Sequence, residues 1–468
     1  MARNAGALAL ARGATMLLKL GVAARLTRVL DPEGFGVLGY GLALLAFFGL
    51  IGTLGLDVLG TREAARSPER AADLAARVVG LRLALASAAY AVYGVVLVLL
   101  PVGPAVRVVL LVQGALLLVQ ALDVQWLYSG LERMGPVAVR NVFADVLQLV
   151  CVLVFVREPE HLLRAAAIAT GTAAVVAGGM WASYRRDFGP LRPRVDLAAW
   201  RALLRPALPL AASALMVTIY YTSDRLFLGW LRGPADVGHY EAAYRLMGVV
   251  LAPSQILYQA FFPSLSKGVG DLAEMQAGGR AFARVTVAVG MPLAALVGVC
   301  AVPLIEWFAG ADYAPAAAPL AVLMVASGVI YINIVFGQSL LAWDAHRPYV
   351  EAVVAGAVVN LLLNPFVIPA YGPVGAAWTT VAAEVTALVR VAFAYRHLTG
   401  ELPWPALARA LAVASVGTAL PAWALLRAGA PLFVVLAAGG ACAVAASVAV
   451  GTVRLRDIAA LKARMGKR

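Results

Sequence analysis

Charged side chains occur inside apolar stretches of this sequence, where an ionised group is unfavourable. Arg12 and Lys19 lie seven residues apart in the first apolar stretch, so on a helix they share one face. That stretch contains no acidic residue to neutralise them. A charge at the centre of a bilayer costs at least about 2.5–3.5 kcal/mol, so such residues tend to face water or a partner. The two cations therefore indicate either a water-filled space that takes an anionic ligand or acids supplied by another helix.

Further ionisable and polar residues are candidates for the same space. Arg25 and Arg225 lie near the ends of their apolar stretches, and Arg245 lies deeper. Glu241 precedes Arg245 by four residues, the favourable order for an ion pair within one helix, so that pairing is an alternative for Arg245. Candidate coupling or cavity-lining groups in the second half are Glu384, Asn333, Gln338 and Asn360.

Another group of charged residues lies within about two turns of the ends of the apolar stretches, where side chains can reach the interface. Its members are Asp57, Arg82, Asp123 and Arg140. For these residues we favour structural ion pairs or interfacial side chains over a role in binding.

The apolar stretches themselves indicate the fold class. Of the 468 residues, 62% are hydrophobic, and the mean hydropathy is +0.85, whereas ordinary soluble domains are about 45–50% apolar. Stretches of about 20 apolar residues recur along the chain, and each can cross a bilayer as a helix. We therefore predict an all-α polytopic membrane protein with about fourteen transmembrane helices. The predicted spans are 8–28, 36–60, 78–100, 107–128, 137–157, 162–184, 206–230, 237–262, 283–308, 316–341, 349–369, 373–395, 406–427 and 431–453.

Two turns of similar sequence indicate an internal duplication. The stretch 31–38 aligns with the stretch 233–240, and within them Gly36 matches Gly238. We therefore expect two pseudo-symmetric six-helix lobes, with function where they meet, followed by two further helices. The predicted organisation is an N-terminal lobe 1–184, a cytoplasmic linker 185–205, a C-terminal lobe 206–400, and a segment 401–468 that holds the last two spans and a basic cytoplasmic tail.

The distribution of Lys and Arg predicts the orientation. The net charge is +13, and most of the cations fall in alternate connections and in the tail, which the positive-inside rule assigns to the cytoplasm. Both termini are therefore expected in the cytoplasm, and the chain in the plasma membrane. Because the cations are scattered over short loops, they fit anionic lipid headgroups and argue against a nucleic-acid partner.

The linker has two interpretations. Asp196 is predicted to cap a short amphipathic helix that carries Leu197, Trp200 and Leu204 on one side. The segment is then either a surface helix that joins the two lobes or a plain basic loop.

Signatures of enzymes do not stand out. The sequence has no phosphate-binding loop of the P-loop type, no His-Glu-x-x-His motif and no Ser/His/Asp set. The three cysteines are isolated in apolar stretches, so they predict neither disulfides nor a metal cluster. We expect a chain that is not an enzyme and that needs no cofactor and no metal.

Several motifs, taken in order and spacing, resemble a known group of transporters. The motifs are Arg25–Gly36, Ser223–Leu226, Val237–Leu246, Phe262–Ser266, Asn360–Asn364 and Ile368–Ala377. Together they resemble the oligosaccharide flippases of the Wzx type, which belong to a superfamily with the multidrug exporters and the lipid II flippases. The resemblance covers about residues 5–400, and the last two spans agree in number.

The resemblance implies a central cavity that opens alternately to the two sides of the membrane. It implies an undecaprenyl-diphosphate-linked sugar repeat as cargo, moved from the inner to the outer leaflet, with glycosyltransferases and a polysaccharide polymerase as partners. Lipid II flippases use cavity cations on spans 1, 2 and 8, and the matching candidates here are Lys19, Arg25 and Arg245. Span 2 carries no cation, which departs from that pattern.

Three other functions remain as alternatives. A lipid II flippase shares the resemblance. A multidrug cation antiporter of the same superfamily would be expected to carry deep acids, yet span 1 is cationic and Glu384 is the deep acid. A membrane scaffold that recruits synthesis enzymes is the third, but it leaves the cations of span 1 unexplained.

Overall fold

The computed structural model describes residues 2–451, with side chains for all of these except 2–12, 134, 136 and 138. Every element in this range is helical. The helices of the first half are α1 Ala2–Val29, α2 Pro32–Thr53, α3 Leu56–Arg66, α4 Ala71–Leu99, α5 Pro104–Gly114, α6 Leu116–Ala121, α7 Gln125–Gly130, α8 Met134–Phe155, α9 Leu162–Phe188 and α10 Leu197–Leu231. Those of the second half are α11 Pro234–Lys267, α12 Leu272–Val299, α13 Ala301–Ala309, α14 Ala317–Ala342, α15 His346–Thr399, α16 Trp404–Ala414, α17 Leu420–Arg427 and α18 Leu432–Ala449.

The helices cross a membrane many times, as predicted. Eleven helical segments within the described range are long and apolar enough to span a bilayer. One of them is the 54-residue α15, which breaks at Gly372 (φ 54°, ψ −134°) and so supplies two spans. With α1 and α8, which are also long enough to cross, the described residues provide the fourteen spans that the sequence predicts. The chain is therefore an all-α, multi-pass membrane protein.

The break in α15 lies between the two spans that the sequence predicts, 349–369 and 373–395. Asn364, Pro365 and Pro369, where the sequence also predicts a kink within span 11, keep helical φ and ψ. The non-helical residue is Gly372, whose positive φ is a conformation that glycine adopts without steric cost.

The two turns that share a sequence also pack against each other. Both α2 and α11 begin with a proline, whose fixed φ suits the first helical position. A Cβ atom on Gly36 would stand 1.7 Å from the carbonyl oxygen of Pro234, and one on Gly238 would stand 1.9 Å from that of Pro32. The matching glycines of the duplication therefore make reciprocal backbone contacts that no other residue type permits.

The described residues form two compact units. One consists of Leu10–Gly229 together with Gly233–Gly238, and the other is formed chiefly by the chain from His239 onward. Each unit has its own apolar core, and each also exposes large apolar side chains, such as Leu99 and Phe366, both 78% exposed. Exposed side chains of this kind are expected where a helix faces lipid.

The core of the first unit holds the linker in place. It contains Val79, Leu127 and Tyr184, and Trp200 and Leu204 pack against it. The Asp196 carboxylate accepts a hydrogen bond from the Ala199 amide (2.9 Å), which confirms the predicted cap.

The linker differs from the prediction in two respects. Leu197 is 74% exposed, so it does not share the buried side of the amphipathic turn. The helix that begins there does not end at residue 205 but continues through Pro206 and Pro209 to Leu231. The amphipathic turn and span 7 are therefore one helix.

The core of the second unit is built around aromatic rings. Tyr395 packs against Phe336 and Trp343, with ring centroids 4.9 Å and 5.3 Å away. The ring of Tyr331 occupies the space where Gly290 lacks a side chain, and its hydroxyl donates to the Val250 carbonyl at 2.6 Å. These contacts join α11, α12, α14 and α15 into one bundle.

Candidate functional site

Lys19 is the clearest candidate for an unneutralised cation within a membrane helix. It lies on α1 and is exposed. Among the side chains that the structure describes, no carboxylate lies within ion-pair distance of it. A carboxylate would be needed to neutralise it locally, because a lysine carries only donors and a positive charge. Arg12, its predicted companion, has a side chain that lies outside the described residues.

The direction of Lys19 follows from the packing of α1 on α8. A Cβ on Gly21 would stand 3.5 Å from Leu149 Cδ1, so this side of α1 faces α8. Arg25, one turn later on the same side, also reaches α8. Successive residues of an α-helix turn by about 100°, so Lys19 points away from α8.

Arg25 has a structural partner instead. Its Nη2 donates to the carbonyl oxygen of Val156 at 3.1 Å, and Val156 terminates α8. A helix ends with carbonyl groups that lack intrahelical donors and carry partial negative charge, so a guanidinium there is favourable. The two cations of α1 that the sequence grouped with the cargo thus have different surroundings.

The cations of α10 and α11 contact their own helices. Arg225 donates from Nη2 to the carbonyl oxygen of Tyr221, one turn earlier, at 3.3 Å. Arg245 forms an ion pair with Glu241 at 2.8 Å, with the side chains 36% and 5% exposed. The pairing within α11 that the sequence left open for Arg245 is therefore present. A partly exposed guanidinium in such a pair can still exchange its carboxylate partner for an anion of higher charge.

In the second unit a buried acid lies beside one of the predicted amides. Glu384 is 4% exposed. Asn333 donates from Nδ2 to the Glu384 Oε2 atom at 2.7 Å and to its backbone carbonyl at 2.9 Å. Helices α14 and α15 are thus joined by a polar contact around a group that can take or release a proton.

The other predicted polar residues lie apart from this pair. Asn360 is buried and accepts from Asn364 Nδ2 at 2.8 Å, while Thr379 donates to Asn364 Oδ1 at 2.6 Å. That chain of three links the two halves of α15 on either side of Gly372. Gln338 is half-buried on α14 and forms no hydrogen bond with the described residues.

The charged cluster near the ends of the first spans is structural, as the sequence favoured. Arg82 is 2% exposed and pairs with Asp57 at 2.8 Å. It also donates to the carbonyl oxygens of Asp123 (2.9 Å) and Gln120, which end the short helix α6. The guanidinium thereby binds carbonyl oxygens at the break between α6 and α7, of which that of Gln120 also accepts from the Asp123 amide at 3.1 Å.

A cavity of about 730 Å³ opens beside this cluster. Its lining carries Asp57, Asp123 and Glu132 against a single cation, Arg62. An anionic headgroup would meet mostly carboxylates there, so this cavity is not the anion site that the sequence predicts.

Sequence reasoning missed a polar stripe on α8. Asn141, Asp145 and Gln148 follow at positions i, i+4 and i+7, which places them on one face of the helix. Asp145 lies at the middle of α8 and is only 8% exposed. The spacing alone could have revealed the stripe, because three polar residues with a helical period are unusual inside a membrane span.

The fold and these residues define a class: a polytopic helical membrane protein with an unneutralised cation in its first span. Residues 1–269 match the sequence model of a protein family that is described as "Polysaccharide biosynthesis protein". The match covers more than half of the 468 residues, so the chain belongs to this family.

Two relatives and two solved structures fit this assignment. The chain is 23% identical over 406 residues to the "Putative O-antigen transporter" of Escherichia coli K12, covering 83% of this chain and 95% of the relative. It is 24% identical over 163 residues to the "Probable low-salt glycan biosynthesis flippase Agl15" of Haloferax volcanii, covering 34% of each.

The structural similarities concern the fold alone, because the identities are low. The lipid II flippase MurJ in its inward closed conformation matches with a TM-score of 0.74 and 12% identity, over 96% of this chain and 99% of the other. An inward-facing MATE-family multidrug transporter of the MOP superfamily matches with a TM-score of 0.62 and 15% identity, over 82% and 96%. The fold of this superfamily, which the sequence motifs predicted, is confirmed.

Proposed function

We propose that this chain moves an undecaprenyl-diphosphate-linked oligosaccharide from the inner to the outer leaflet of the plasma membrane, for the synthesis of a surface polysaccharide. Membership of the polysaccharide biosynthesis family supports a role with glycans. The relatives named as an O-antigen transporter and a glycan biosynthesis flippase support movement across the membrane. The chain acts as a transporter and not as an enzyme, with both termini in the cytoplasm.

The observation that carries the proposal is Lys19, an exposed cation in a membrane helix without a carboxylate partner among the described side chains. A lysine ammonium binds phosphate oxygens through charge-assisted hydrogen bonds. A diphosphate that leaves water loses its hydration, and a cation at this level of the membrane offsets part of that cost. Arg12, which the sequence spacing assigns to the same face, is proposed as a second cation, and Arg225 and Arg245 are further candidates.

Transport requires that the cargo site opens first to one side of the membrane and then to the other. The buried Glu384 with its partner Asn333 is our candidate for the group that couples this cycle to an ion gradient. A carboxyl that binds a proton or a cation in one state and releases it in the other can bias such an equilibrium. Glycosyltransferases that assemble the cargo and a polymerase that consumes it are the expected partners.

The test is to deplete the protein in its host and to identify the lipid-linked precursor that accumulates, then to restore it with variants. We expect an undecaprenyl-diphosphate oligosaccharide to accumulate and lipid II to stay constant. Lys19→Arg should restore export better than Lys19→Ala, because the positive charge is retained.

Two outcomes would contradict the proposal. Accumulation of lipid II would assign the chain to peptidoglycan precursors instead. Full export with Lys19→Ala, at equal protein level in the membrane, would remove the role of the α1 cation.

A further inference from the structure

The polar stripe of α8 has no partner that explains its place in a membrane helix. Among the side chains that the structure describes, Asp145 forms neither an ion pair nor a hydrogen bond. Its residue is nevertheless 92% buried, since only 8% is exposed. Asn141 and Gln148 are half-buried, and they too form no hydrogen bond with the described residues. Polar groups without partners are costly inside a membrane span, so a ligand that supplies partners is favoured.

The stripe belongs to the inner side of α8 and not to the lipid side. Val137, one turn before Asn141, and Val152, one turn after Gln148, lie on the same side of α8 as these amides and are 2% and 1% exposed. The opposite side of the helix carries Val139 and Phe143, which are 71% and 57% exposed. A stripe that faces the inside of the first unit can meet cargo.

Helix α1 leaves room beside the stripe. The two helices touch at Gly21 and Leu149 and again where Arg25 reaches Val156. Asp145 lies one turn before Leu149, at the level of Leu17 on α1. There α1 no longer packs closely, since Leu17 is 70% exposed.

This open side of α1 continues one turn further towards its N-terminus. A Cβ on Gly13, which lies on the same side of α1 as Leu17 and Gly21, would meet none of the described atoms within 4 Å. Among the described residues, this side of α1 is therefore open at the level of Asn141 and Asp145 on α8.

We infer that Asn141, Asp145 and Gln148 bind hydroxyl and amide groups of the sugar part of the cargo. The inference rests on the proposed function and assigns a sugar subsite to it. A carboxylate accepts hydrogen bonds, and each amide both donates and accepts, which matches the mixed donors and acceptors of a sugar ring. An ion-coupling role would use Asp145 alone and would leave the two amides, one turn away on each side, without a purpose.

The experiment measures binding of two lipids to the full-length protein in nanodiscs. The probes are undecaprenyl diphosphate and the same lipid carrying one N-acetylglucosamine. We expect the wild type to bind the glycosylated lipid about tenfold more tightly, as one or two net hydrogen bonds provide. The triple variant Asn141→Leu, Asp145→Asn, Gln148→Leu should bind both lipids with the affinity that the wild type has for the bare lipid.

The control is Gln120→Leu, an exposed amide of α6 outside the stripe, which should keep the tenfold preference. Should the triple variant fail to fold, Asn141→Leu and Gln148→Leu alone test the same loss, since both sites are half-buried.

Each other outcome overturns a defined part of the scheme. A triple variant that retains the preference for the glycosylated lipid overturns the sugar subsite. So does a variant that binds both lipids normally but no longer transports, because the stripe would then serve coupling. A wild type that binds both lipids equally overturns the subsite and leaves the diphosphate site intact. A wild type that binds neither lipid overturns the proposed function as well.

Discussion

Gly36 and Gly238 are equivalent positions of an internal repeat, and each packs on the backbone of the other's turn. The missing side chains let the carbonyl oxygens of Pro234 and Pro32 approach to where a Cβ would stand, at 1.7 Å and 1.9 Å. Reciprocal contacts between equivalent residues are the mark of a self-complementary surface. The repeated sequence and the repeated contact therefore have the same origin.

Replacing either glycine should destabilise the protein. In Gly36→Ala or Gly238→Ala the new methyl group would overlap a backbone oxygen that cannot rotate away, so the two turns must separate. Overpacking of this kind costs about 1–3 kcal/mol or more. The thermal midpoint in detergent, followed by tryptophan fluorescence, should fall.

The matched control is Gly248→Ala, later in the same helix α11, where a Cβ would meet nothing within 4 Å. That variant should be neutral or slightly stabilising, because alanine favours a helix over glycine by about 1 kcal/mol. Equal midpoints for Gly238→Ala and Gly248→Ala would show that the turns tolerate separation.

Arg82→Met should destabilise the first unit far more than Asp57→Asn. The methionine would leave the carbonyl oxygen of Asp123 without its charged donor and that of Gln120 with only the Asp123 amide, and an unsatisfied buried carbonyl costs about 1–3 kcal/mol. The Asp57 side chain is 47% exposed, so water can replace its ion pair, which is then worth about 1 kcal/mol at most. Thermal unfolding of both variants measures the difference, and similar losses would mean that the ion pair dominates.

Substitutions of Lys19 and of Arg25 should have different effects: the first on lipid binding and the second on stability. Lys19→Gln is expected to weaken binding of undecaprenyl diphosphate about tenfold while leaving the thermal midpoint unchanged, because its charge has no described partner to lose. Arg25→Gln should lower the midpoint, because the Val156 carbonyl at the end of α8 would lose its charged donor. Titration with the lipid and thermal unfolding provide the two measurements, and the reverse pattern would exchange the roles of the residues.

Exchanging Glu241 and Arg245 tests what their ion pair does. Arg245→Ala should lose both stability and transport. If the pair serves only the packing of α11, the double variant Glu241→Arg, Arg245→Glu should recover both. We expect stability to return without transport, because the positive charge would move one turn along the helix. Recovery of both would exclude Arg245 from cargo binding.

Glu384→Gln should uncouple transport from an imposed ion gradient. Glutamine keeps an acceptor for Asn333 Nδ2 but cannot exchange a proton or hold a cation by charge. In proteoliposomes, the flux of lipid-linked cargo should lose its response to a pH or sodium gradient while cargo binding persists. Glu306→Gln, at an exposed acid on α13, is the control that should retain the response.

The fold followed from the sequence to a large extent, because apolar stretches and Gly-Pro turns report directly on membrane helices. Even the equivalence of Gly36 and Gly238 was readable from aligned turns. The predicted spans 349–369 and 373–395 also placed the break of α15, which lies at Gly372. The sequence did not show that the linker turn and span 7 form one helix, because Pro206 and Pro209 lie inside α10 without ending it.

The candidate site was less predictable, because the apolar faces of a membrane helix look alike in sequence. Which side of α1 faces α8 depends on Gly21, and that contact separates Arg25 from Lys19. The resemblance to lipid II flippases had grouped the two cations. Asp145 is a lone acid in span 5, and in the sequence only the helical period that it shares with Asn141 and Gln148 marks it.

The segment 189–196 between α9 and α10, called the strap below, limits where the chain tolerates an insertion. Arg194 donates from its amide to the Ala76 carbonyl at 3.0 Å, and its guanidinium meets Asp73 at 3.2 Å. Its carbonyl oxygen lies so close to Gly80 that a Cβ there would stand 2.3 Å away. A tag, fluorescent reporter or protease site inserted near Arg194 would have to break these contacts. Such modules belong at Gly189, at the beginning of the strap, where a Cβ would meet none of the described atoms within 4 Å.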